Sequence, residues 1–211
     1  RQFDLHWHVF PECCEPTADD DLWEAAIPVV IDGVETWALC PADQVLHICT
    51  HGVRWNGVPP LRWIADLAIL LHSTPVDWER VLRQTRKRQM IVLMREALTY
   101  VHELLGLPIP PEVLHELRTA AVSPLEYKEY ELRMLPSGDR WNALKYTWYN
   151  FSRSASQLSL AERVLRFPRV VQLVCRLDRL WHLPVYGMQL LLGRATGPRE
   201  SFVGREYLSE K

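Results

Sequence analysis

The chain has 211 residues, with 24 Lys and Arg against 26 Asp and Glu and a formal net charge of −2. That length allows one sizeable core, or a core with an appendage, and 48% hydrophobic residues is ordinary for a globular protein. The near-balanced charge gives no global support for nucleic-acid binding, and no apolar run reaches the roughly 18 residues that a membrane span needs.

The chain opens on Arg1-Gln2-Phe3 and enters an extended pattern at once, which points to further sequence upstream. Residues 3–10 alternate apolar and polar, the period of a half-buried strand. Phe3, Leu5, Trp7 and Val9 fall on one face, and Asp4, His6 and His8 on the other. An acidic loop is expected next, through Glu12, Glu15, Asp19, Asp20 and Asp21. Residues 27–32 and 34–39 read as a hairpin around Asp32-Gly33.

Beyond residue 40 the pattern is helical. Pro41 opens a helix that ends at Gly52, read as a C-terminal glycine. Further helices are predicted near 61–71, 77–88, 89–105, 111–121, 124–135, 139–153, 159–166 and 168–180, with an apolar stretch at 183–193. Gly106-Leu107-Pro108 and Pro136-Ser137-Gly138 are the breakers. The predicted fold is α+β and mostly α: a strand and hairpin left from a small mixed sheet over 1–40, a helical bundle over 41–193, and a flexible tail over 194–211.

Three groups of residues carry candidate chemistry. Asp4, His6 and His8 are spaced about 6–7 Å apart along one strand face, so they suit either a divalent ion or phosphate, or simply a solvated strand side. His47 and His51 share a helix face, with Asp66 on the next helix as a third group. This set reads either as metal ligands or as histidines bracing a helix contact; residue 48 is Ile, so no HExxH motif is present. Arg54, Arg62, Arg83, Arg86, Lys87 and Arg88 would make a phosphate site only if they converge on the face carrying Asp4. No glycine-rich phosphate loop or GxSxG elbow occurs. The five cysteines have no paired spacing and read as reduced thiols of a cytoplasmic protein.

Three segments in order resemble a known family. They are Phe3-Asp4-Leu5-His6-Trp7, then Leu39-Cys40-Pro41-Ala42-Asp43 running into Leu46-His47-Ile48-Cys49-Thr50-His51-Gly52, then Leu61-Arg62-Trp63-Ile64-Ala65-Asp66-Leu67 with Asp77-Trp78 behind it. The order is similar to the uncharacterised bacterial nucleotidyltransferases of the polymerase-beta-like superfamily, over roughly residues 1–115. The resemblance implies a small sheet with three carboxylates holding two Mg²⁺ ions, which align a nucleoside triphosphate with an attacking hydroxyl. Asp4 matches the third carboxylate, and the resemblance makes it the catalytic, metal-binding residue.

His6, His8, His47, His51, Arg62 and Asp66 are then expected to line or brace the cleft. The Gly-Ser turn and the first carboxylate pair have no counterpart, so this chain by itself is expected to be inactive. Implied partners are a nucleoside triphosphate and an unknown acceptor, with neither nucleic acid nor a membrane expected. Two other readings stay open: a metal-dependent phosphohydrolase built on His47, His51 and Asp66, and a non-catalytic helical binding module.

Overall fold

A computed structural model describes residues 9–10, 17–52, 61–135, 139–175 and 177–192. The chain forms two compact units, Arg1–Ser123 and Pro124–Lys211. Their boundary falls inside the stretch that the hydropathy pattern presents as one helical domain. Among the described residues the architecture is a two-stranded antiparallel sheet with ten α-helices, an α+β chain that is mostly α.

The first unit begins with a short helix, α1 (Asp20–Glu24), where an acidic loop was expected. Asp20 and Asp21 lie in its first turn, where carboxylates favour the helix dipole, and Leu22 anchors it by complete burial. The hairpin then forms as the turn dipeptide predicts. Strands β1 (Ile27–Ile31) and β2 (Val34–Ala38) pair with Ile31 opposite Val34. Asp32 and Gly33 take φ of 52° and 80°, the two left-handed positions of a type I′ turn. Val30, Ile31, Val34 and Trp37 stay exposed.

Helix α2 (Pro41–Gly52) is the hub of this unit, touching α3 (Leu61–Ser73), α4 (Trp78–Lys87) and α5 (Ile91–Leu105). Its Val45, Leu46 and Cys49 are fully buried, spaced to present one apolar stripe. Burial pushes the Cys49 thiol up to about 12, so it behaves as a small hydrophobe. Gly52 owes its identity to packing more than to capping. A Cβ there would lie 2.1 Å from Cγ of Trp63, so α2 and α3 approach closely at that point. Gly106 ends α5 in the left-handed region, φ 64°, and Pro111 opens α6 (Pro111–Thr119) at its first position.

In the second unit, α7 (Pro124–Arg133) packs on α8 (Arg140–Ser154), and α8 on α9 (Leu160–Val174). Separate helices were expected near 159–166 and 168–180, but α9 is continuous through Pro168. A capping box between Ser159 and Glu162 fixes its start. Phe167 and Val171, four residues apart, bury together on either side of the proline, which offsets the lost hydrogen bond. The apolar stretch after it becomes a 3-10 turn (Leu180–His182) and α10 (Leu183–Leu191), which closes a core with Val171, Tyr186 and Leu190.

Candidate functional site

Asp77 accepts a hydrogen bond from the Arg80 amide at 2.9 Å and starts α4. From that start Arg80, Gln84, Lys87 and Arg88 recur at helical spacing and form one polar edge. Arg80 reaches α2. Its Nε donates to both carboxylate oxygens of Asp43 at 3.0 and 3.1 Å, and its Nη2 donates to Oδ2 at 2.7 Å. The Asp43 side chain is completely buried. Its hydrogen bonds raise the Arg80 pKa further, while the Cys40 thiol, which donates to Asp43 Oδ2 at 3.2 Å, is pushed up chiefly by burial.

The same edge grips the segment before the hairpin. Arg80 Nη2 also donates to the Asp21 carbonyl at 2.8 Å. The Asp21 carboxylate takes Gln84 Nε2 at 2.7 Å, Lys87 Nζ at 2.8 Å and Arg88 Nη2 at 2.9 Å. Partial burial disfavours its charged form, but the donors Arg88, Lys87 and Gln84 outweigh that and hold it well below the ordinary carboxylate range. Arg88 is itself buried. It donates to the Ala18 carbonyl at 3.0 Å and lies 5.3 Å from the ring centre of Phe10, a cation–π distance.

Asp19 Oδ2 accepts the Val9 amide at 3.1 Å. The fully buried Phe10 ring also faces His47, with ring centres 6.2 Å apart, and His47 lies 4.3 Å from His51 by the same measure. Val9–Phe10 and Thr17–Glu24 are thereby latched onto the faces of α2 and α4.

The sequence candidates are distributed as follows. Asp4, His6, His8 and Arg54 lie outside the described residues. His47 and His51 come together beside Phe10. Asp66 is half exposed and its carboxylate faces Arg62 at 4.0 Å, one turn away on α3. The described members of the basic run have these partners. Arg86 pairs with Glu116, Lys87 and Arg88 serve Asp21, and Arg83 lines an open cleft of about 510 Å³ between α4 and α6, together with Trp78, Leu82 and Glu112.

Among the described residues no three His, Cys, Asp or Glu side chains group to hold a metal ion. The described carboxylates do not fit the magnesium that the resemblance implies. Asp43 serves Arg80, Asp21 serves Arg88 and Lys87, and Asp19 serves the Val9 amide. The Asp19-x-Asp21 spacing is therefore spent on structure.

Sequence reasoning missed Asp43, Arg80, Asp21, Gln84 and Asp19 as parts of one network. One signal was present: polar side chains at 80, 84 and 88, four apart on a helix whose other side carries Val81, Leu82 and Thr85. The partners lie 37 to 70 residues away along the chain, beyond the reach of periodicity.

No curated protein and no solved structure matches the chain. The profile of a family described as uncharacterised nucleotidyltransferase matches residues 1–106, which is half of the sequence. The match takes in the latched segment, the hairpin, and α2 to α5, and the chain belongs to that uncharacterised nucleotidyltransferase family.

Proposed function

We propose that this chain serves Mg²⁺-dependent transfer of a nucleoside monophosphate from a nucleoside triphosphate to an acceptor hydroxyl. In this reading Asp4 is a metal-binding carboxylate of the site. The observation that carries the reading is the latch. Val9 and Phe10, which follow Asp4 by five and six residues, are held by Asp19, Arg88 and His47 against the helical core. A metal carboxylate needs such a rigid support. The hairpin adds to it, because two strands with exposed apolar side chains on both faces are marginal in water and suit a larger sheet.

The helical unit would then back the cleft, with His47 and His51 bracing the Asp4 segment through Phe10. Asp66, paired with Arg62 on the exposed side of α3, offers less to the phosphohydrolase reading. The test starts from the reading frame upstream of Arg1, which should encode a Gly-Ser turn followed by Asp-x-Asp. Protein containing that sequence should transfer label from an α-labelled nucleoside triphosphate in Mg²⁺, and Asp4→Asn should abolish transfer while leaving the fold intact. A protein that carries the full sequence yet binds no nucleoside triphosphate in Mg²⁺ would sink the proposal.

A further inference from the structure

We draw no further inference here: the strongest candidate, the open cleft of about 510 Å³ between α4 and α6, carries exposed side chains of both signs in Glu79, Arg83 and Glu112, and nothing in the structure shows what occupies it.

Discussion

Both units bury carboxylates against arginines, but they use them differently. In the first unit Asp43 and Asp21 tie α4 to α2 and to the segment before the hairpin, across 37 to 67 residues of chain. In the second, Glu129 takes Arg133 at 3.1 Å and Arg153 at 3.0 Å, and Arg133 donates to the Tyr146 hydroxyl at 3.1 Å, within 24 residues at most. The second network joins neighbouring helices that already pack. The first holds a strand-bearing segment on a helical core, where a two-stranded sheet has little stability of its own. Long-range ion pairs thus mark the place where this fold fixes an element whose position matters.

The sharpest way to break the comparison is to remove one carboxylate from each network. Glu129→Ala should destabilise by about 3–5 kcal/mol, because it strands the buried charges of Arg133 and Arg153. Asp43→Ala should cost about 1–3 kcal/mol, because it takes the charge-assisted hydrogen bonds from the partly exposed Arg80. Chemical denaturation measures the loss. Only Asp43→Ala should also raise hydrogen exchange in residues 17–24; equal exposure of that segment in Glu129→Ala would erase the distinction.

Gly52→Ala should cost about 1–3 kcal/mol through overpacking against Trp63, and an unchanged melting transition would show that α3 yields easily. Acid should act through Asp21. Its carboxyl is held below the ordinary value in the fold, so its contribution is complete above about pH 4 and is lost as pH falls below that. Asp21→Asn should therefore flatten the acid limb of the stability profile, and a limb of unchanged slope would contradict the assignment. The smallest effect belongs to a local device. Asp139→Ala removes the cap that accepts the Trp141 amide at 2.8 Å and should cost about 1 kcal/mol, confined to α8.

The sequence made the local structure legible and left most of the site hidden. The Asp32-Gly33 turn, the α4 start at Asp77 and the Gly106 stop each depend on a few adjacent residues, and each was readable. The break expected between 166 and 168 does not form, because Phe167 and Val171 pack together on either side of Pro168. Gly52 was placed correctly at the helix end, but its reason lies eleven residues away in Trp63. Asp43 looked like an ordinary first-turn acid. Its complete burial and its pairing with Arg80 exist only once α2 and α4 are packed. The family resemblance reached further than periodicity did, since it rests on the order of three separated segments, and residues 1–106 bear it out.

The most direct test of the latch is the exchange rate of the Val9 amide, which donates to Asp19 Oδ2. In Arg88→Ala the cation over Phe10 and the bonds to Ala18 and Asp21 are lost together. Val9 and residues 17–24 should then exchange at least about tenfold faster, equivalent to roughly 1.4 kcal/mol, while α5 keeps its protection. Unchanged exchange at Val9 in that variant would contradict the claim that α4 holds Val9–Phe10 in place.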